Sequence, residues 1–352
     1  MTSRERVILA MRRRLPDRVP FGFAGFTPAA YETFKKGSGH TDPDAYFRTD
    51  ARGVGFADPG VLPDYSKYYE KLPAGAYLDA FGAAHIPGSV EHFTRFIAPL
   101  KKAGHINELI EYPLPDYTRP ECYRNLRSQT EEWQKQGQAV CAGMSCTLFE
   151  WSWQIRGMEE FLEDLYLRPE WAEVLLDKWL KLRVFMAQKY AEAGADILML
   201  GDDVGMQKGM MMSPAVWRKF FKTRMAKIID STRNAKKDIL IWYHSDGNVN
   251  EIVPELIEIG IDILNPVQPE CMDPAKLKRS YGDRLSFWGT MGTQSTFPFG
   301  TPDDVRRTVK ERIETVGKGG GLYLAPTHTL EPEVSWENMK AFAEAVMEYG
   351  RY

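Results

Sequence analysis

His244 and Asp246 stand one residue apart at the end of an apolar run, in DILIWYHSDGN (residues 238–248), and a helical pattern follows at once. Imidazole and carboxylate are the side chains that hold a borderline divalent metal or pass a proton. With one residue between them, both reach one point if a strand bends into a loop there. His328 ends a second apolar run, LYLAPTH. A lone histidine is more often structural than catalytic. Here two of only six histidines close separate apolar runs, one of them beside an Asp, and the pair carries the functional reading. A set of His244, Asp246 and His328 suits Zn²⁺ with a fourth position open to water or substrate, and the same donors fit Fe(II). Cys271 is a further candidate ligand, because a thiolate binds Zn²⁺ tightly.

Other polar groups recur just after apolar runs: Thr147 and Glu150; Asp202, Asp203 and Gln207; Asn265, Gln268 and Glu270; Thr290, Thr293 and Gln294. Asp203, Asp202 and Glu150 are the candidates for donating or relaying a proton. Either Asp serves equally well as a helix N-cap or turn residue, Glu150 as an exposed helix residue, and Asn265 before Pro266 as a turn. Tyr243 and Trp153, with Trp151, are expected to wall a flat apolar substrate, and Gln268 and Gln294 to contact it.

These groups need elements to hold them. Apolar strands at residues 139–143, 196–201, 239–243, 262–266, 285–289 and 322–325 alternate with helical patterns at 168–193, 214–233, 249–259, 273–281, 302–316 and 335–349. Such alternation means a parallel sheet of right-handed βαβ units. Six clear strands, with one or two less patterned ones before residue 119, predict an α/β fold: a closed (β/α)8 TIM barrel whose strand ends share one face. An open doubly wound sheet is the alternative. One domain over 1–352 is expected. Residues 1–118 form a helical and irregular extension over the mouth, and 119–352 the regular units. A helix over residues 3–13 with Ser3 as N-cap, two short helices within 28–50 and one helix over 121–136 complete the pattern. No dinucleotide fingerprint or P-loop follows the first strand. GKGGG (317–321) precedes a strand and reads as a helix stop and turn.

The chain has 352 residues and a formal charge of −3, which leaves no electrostatic footprint for nucleic acid. Four cysteines without CxxC spacing read as reduced thiols. The N-terminus lacks a signal-peptide core and no apolar run reaches membrane length, so a soluble, cytoplasmic protein is expected, with no membrane partner.

HSDGN, GIDILNPVQPECMDPAKLK, YGDRLSFWGTMGTQ and GGGLYLAPTHTLEPEVSWENMKAF resemble the C-terminal half of the uroporphyrinogen decarboxylase superfamily. GDDVGMQ and CAGMSCTLFEWSWQIRGMEEFLEDL resemble its middle, and RERVILAMRRRLPDRVPF more faintly its start. The resemblance implies a barrel with its site at the C-terminal mouth. Its porphyrin decarboxylases use no metal and hold substrate carboxylates through an arginine-rich N-terminal motif. The matching FGFAGFTPAAYETF has no arginine, which disfavours a substrate with many carboxylates. Asp50, in YFRTDARGV, stands loosely where those decarboxylases carry an essential aspartate.

The other branch consists of zinc-dependent methyltransferases working with corrinoid proteins. Their His-x-Cys and later Cys ligands fall here on His244, Asp246 and His328. Zinc with one carboxylate in place of two thiolates would keep a positive charge and be the stronger Lewis acid. The resemblance thus implies an O-demethylase type of enzyme. A methyl group would pass from a small methoxylated or methylated donor to a corrinoid on a partner protein, giving a methylcobamide, with Zn²⁺ as cofactor. A homodimer also fits the resemblance. A metal-free decarboxylase or lyase, and a non-catalytic protein that binds a tetrapyrrole or corrinoid, are the alternatives.

Overall fold

The apolar runs form the parallel strands of one curled sheet. The computed structural model describes residues 1–88, 95–144 and 146–352. Among the described residues the strands are β1 (Ala51–Val54), β2 (Tyr77–Leu78), β3 (Ala84–Ile86), β4 (Arg95–Ile97), β5 (Ala139–Met144), β6 (Ile197–Gly201), β7 (Leu240–His244), β8 (Ile263–Asn265), β9 (Ser286–Met291) and β10 (Leu322–Pro326). The main sheet runs β1-β5-β6-β7-β8-β9-β10, and its pairs are parallel. Its ends meet across a short extended segment. Gly22 N donates to Leu324 O at 3.1 Å, Leu324 N to Pro20 O at 2.9 Å, and Asp50 N to Phe21 O at 3.0 Å. Residues 20–22 thus lie between β10 and the start of β1, in the place of an eighth strand. The fold is the expected α/β TIM-type barrel.

Strands buried on both faces read as continuous apolar runs, and every residue of β9 and β10 is buried. Alternate residues still part company. Ile197, Leu240, Trp242, Trp288 and Tyr323 form one cluster with Val7, Ala10 and Met11 of the first helix. Leu198, Ile241, Tyr243, Phe287 and Leu324 join the larger core beneath the helices. The first helix, Ser3–Met11, closes the N-terminal end of the barrel: Gly321 N donates to Ala10 O and Ser286 Oγ to Met11 O. The strand C-termini are therefore left to form the mouth.

Several boundaries differ from expectation. Thr2, not Ser3, caps the first helix, in a capping box with Glu5. The helix expected over 121–136 divides into Pro120–Tyr123 and Leu126–Lys135. A wider turn over Arg218–Lys222 interrupts the one expected over 214–233. The expected stop at 317–321 is present, with Gly319, Gly320 and Gly321 all at positive φ. Within the irregular stretch after β1, β2, β3 and β4 form a small antiparallel sheet. Phe81 anchors this stretch against Trp151 and Trp179, with ring centroids at 4.2 and 5.0 Å. No helix among the described residues is long and apolar enough to cross a membrane.

Candidate functional site

Register places the first two members. Gly201, His244 and Asn265 are opposite one another across β6, β7 and β8 at their C-terminal ends. Asn265 is 6% exposed and lies against the imidazole, with Oδ1 2.6 Å from His244 Nδ1. Its Nδ2 donates to Trp288 O at 3.0 Å, so the amide oxygen is the atom that faces His244. His244 then donates from Nδ1, and its Nε2 presents a lone pair. That nitrogen is 3.4 Å from Asp203 Oδ1 and 3.8 Å from Asp246 Oδ1.

Asp246 is carried by a tight crossing of two loops. Gly247 has φ +78°, and a Cβ there would stand 2.5 Å from the backbone of Gly205, so the approach requires glycine. Gln268 Oε1 accepts from Gly247 N at 2.6 Å and Asp203 Oδ1 from Asp246 N at 2.8 Å. Glu150 Oε2 in turn accepts from Asp203 N at 3.0 Å, and Cys146 Sγ lies 3.3 Å from Glu150 Oε1.

Donor atoms of Asp203, His244 and Asp246 all lie within 4.8 Å of one another. Asp246 Oδ1 is buried and has no hydrogen-bond partner. The electrostatics are crowded. Burial and the charge of Asp203 push the Glu150 carboxyl up to about 7. Burial also raises Asp246, against the pull of His244. Burial opposes the charged form of His244, but Asp203, Asp246 and the Asn265 bond outweigh it and raise its pKa. Two carboxylates, one of them with an orphaned oxygen, and an outward-facing imidazole nitrogen fit a divalent cation. With Asp203 included, such a centre would be formally neutral. Its difference from a dithiolate site then lies in hard oxygen donors, not in the residual charge expected from the sequence.

His328 lies outside this three-donor group. It shares a cavity of about 450 Å³ with His244, and its charge acts on Asp246. Cys271 is also outside it; its Sγ is 3.1 Å from Gln207 Oε1 and 3.6 Å from Gln268 Oε1, and burial pushes the thiol up.

The other sequence candidates divide. Asp202 is 2% exposed and binds the open end of the helix Phe149–Arg156, accepting from Leu148 N at 2.9 and 3.0 Å and from Glu150 N at 3.2 Å. This is the capping alternative. Tyr243 is fully buried in the core beneath the helices and does not line the cavity, because side chains alternate along β7. Trp242, which shares the face of His244, takes that place. Trp153 packs edge-on against Phe96 at 5.1 Å and is absent from the cavity wall. Gln268 is committed to the Gly247 amide, and Gln294 accepts from Gln207 at the exposed rim. Asp50 sits before β1, at the far end of the barrel. It is 0% exposed and pairs with Arg6 at 2.7 Å and Arg18 at 2.8 Å, so it cannot be a catalytic group at the mouth. Phe23, Trp242 and Trp288 line the cavity and were missed. The alternation of the two strands was the available signal for the tryptophans.

A family model described as Uroporphyrinogen decarboxylase (URO-D) matches residues 123–349. The chain is similar to a uroporphyrinogen decarboxylase of Coxiella burnetii, 23% identical over 188 residues, which are 53% of this chain and 49% of that protein. It is similar to the one of Pseudomonas fluorescens at 27% over 187 residues, 52% and 50% of the two chains. It therefore spans about half the length of the curated relatives it matches. Among solved structures, a methyltransferase from Methanosarcina mazei superposes with a TM-score of 0.68 at 19% identity, covering 99% of both chains.

Proposed function

This chain belongs to the uroporphyrinogen decarboxylase (URO-D) family, and within it we propose a metal-dependent methyltransferase that demethylates a small methoxylated donor and passes the methyl group to a corrinoid carried by a partner protein. The observation that carries the reading is the Asp203, His244, Asp246 group with its unpartnered Asp246 oxygen. The likeness to a methyltransferase along the whole chain is consistent with it. The apolar wall at Phe23 and Ala24 offers no partner to a substrate with many carboxylates, which speaks against porphyrin decarboxylation.

Asp203, His244 and Asp246 would hold the cation. When bound, it would supply Lewis acidity that lowers the cost of negative charge on the leaving oxygen. The residues do the rest. Asn265 keeps His244 Nε2 facing the donors, and the Gly205–Gly247 crossing holds Asp246 in place. The cavity would enclose the donor beside these residues. As the carbon–oxygen bond breaks, its electron pair would stay on oxygen and the methyl group would go to the reduced corrinoid of the partner protein. Glu150, which burial raises to about 7 behind Asp203, would be the proton source for that oxygen.

Transfer from a methoxylated donor to cob(I)alamin, followed by absorbance, tests this together with metal analysis. Activity is expected to vanish on chelation, to return with Zn²⁺ and to be lost in Asp246→Ala. Full activity in a folded, metal-free preparation would overturn the reading.

A further inference from the structure

Away from the mouth, a groove of about 390 Å³ lies between the long helix Pro169–Glu192 and the segment 112–118 that faces it. It shares no lining residue with the cavity at the mouth. Lys178, Lys181, Leu182 and Phe185 follow one another at offsets of three, four and seven residues, so a single helix face supplies one wall. Leu114 and Pro115 stand opposite. Their segment is held before anything binds. Tyr112 is 1% exposed and its Oη donates to Phe81 O at 2.6 Å, while Tyr65 Oη donates to Pro113 O at 3.2 Å. Lys178 Nζ ties the two walls together by donating to Tyr112 O at 2.5 Å. A guest would therefore order little of the groove on entering it.

Charge narrows the choice. Lys178 is half-buried, and its ammonium, with three protons to give, has one backbone oxygen as partner among the described residues. Burial lowers its pKa and no carboxylate acts on it to offset that cost. Lys181 is exposed and forms no ion pair among the described residues. The acidic groups around the groove are already committed. Asp177 pairs with Arg224 at 2.7 Å, Glu192 with Lys189 at 2.8 Å, and Asp116 accepts from Thr118 N at 2.9 Å and from its hydroxyl. A cationic guest would meet like charges, and a small hydrophilic anion would leave Leu114, Leu182 and Phe185 against water. Two ammonium groups match the two oxygens of a carboxylate, whereas a phosphate monoester brings three.

We propose that this groove binds a medium-chain carboxylate, its head between Lys178 and Lys181 and its chain along Leu182 and Phe185, against Leu114 and Pro115. From Lys178 to Phe185 the helix axis advances about 10 Å, a length that calls for a medium chain over a short one. The site stands whether or not the barrel mouth transfers methyl groups, because the two share no residue.

The test is calorimetric titration of the full chain with octanoate, acetate and octylammonium. Octanoate is expected to bind about tenfold or more tightly than either of the others. Acetate carries the head without the chain and octylammonium the chain with the opposite charge, so equal binding of either would overturn the proposal. Lys178→Met should weaken octanoate about tenfold, but it also unties Tyr112. Lys181→Met, at an exposed position, removes a charge without that complication and should weaken octanoate to a similar degree. His328→Ala, in the cavity at the mouth, should leave octanoate binding unchanged. Parental affinity in Lys181→Met with loss in His328→Ala would put the anion at the mouth and overturn the assignment, as would no octanoate binding to the folded protein.

Discussion

Asn265 decides which nitrogen of His244 faces the donors, because Nδ2 is held by Trp288 O and only Oδ1 remains for the imidazole. Groups behind a metal-binding histidine commonly change affinity by about 10–100-fold when removed. Asn265→Ala is therefore expected to weaken Zn²⁺ binding by about that factor in competition with a chromophoric chelator, without a matching loss of thermal stability. Asn265→Asp, which keeps an acceptor for Nδ1–H, should restore most of it. Equal affinity in the parent and Asn265→Ala would remove Asn265 from this role. The sequence showed less of this detail than of the site itself. His244 and Asp246 stood out because they end an apolar run. The run is buried on both faces, so its composition does not say which residues face inward, and Trp242, not Tyr243, lines the cavity. Of the adjacent pair Asp202 and Asp203, one faces the helix end and the other the mouth, and only the bonds distinguish them.

The elements were legible where burial and periodicity agree, and obscure where long-range packing decides. Strands β5 to β10 and the helices after them follow from period and glycine stops. The small sheet of β2, β3 and β4 does not, because it is held by distant aromatics: Phe81, between β2 and β3, packs on Trp151 and Trp179, and Phe96 of β4 on Trp153. Element-level reasoning also separates anchoring from chemistry at Asp202. Both its oxygens serve the amides that open the helix carrying Glu150. Asp202→Ala would leave those buried amides unsatisfied and is expected to cost about 2–3 kcal/mol in denaturant unfolding. Asp202→Asn keeps an acceptor oxygen and should retain most of the stability together with near-parental turnover. A folded Asp202→Asn protein without activity would return this residue to the catalytic list.

At the scale of the whole molecule, the barrel depends on a seam that has little regular strand. Residues 20–22 bridge β10 and the start of β1 through backbone bonds, and Asp50 locks the junction from inside. Its Oδ2 accepts from Phe21 N at 2.9 Å, while Arg6 and Arg18 neutralise it from the first helix and from the seam itself. One buried carboxylate thus joins the seam, the first strand and the helix that closes the barrel floor. Removing its charge would leave the largely buried Arg18 guanidinium without its carboxylate and Arg6 with Asp17 alone, and breaking a buried pair in this way costs about 3–5 kcal/mol. Asp50→Asn is therefore expected to lose about that much unfolding free energy in a denaturant titration. The fraction still folded should bind Zn²⁺ and donor like the parent, since the mouth lies at the opposite strand ends. Loss of turnover with parental stability would mean that Asp50 acts on substrate after all. That outcome would require it to reach the mouth from a position that is 0% exposed and held by two arginines at the barrel's other end.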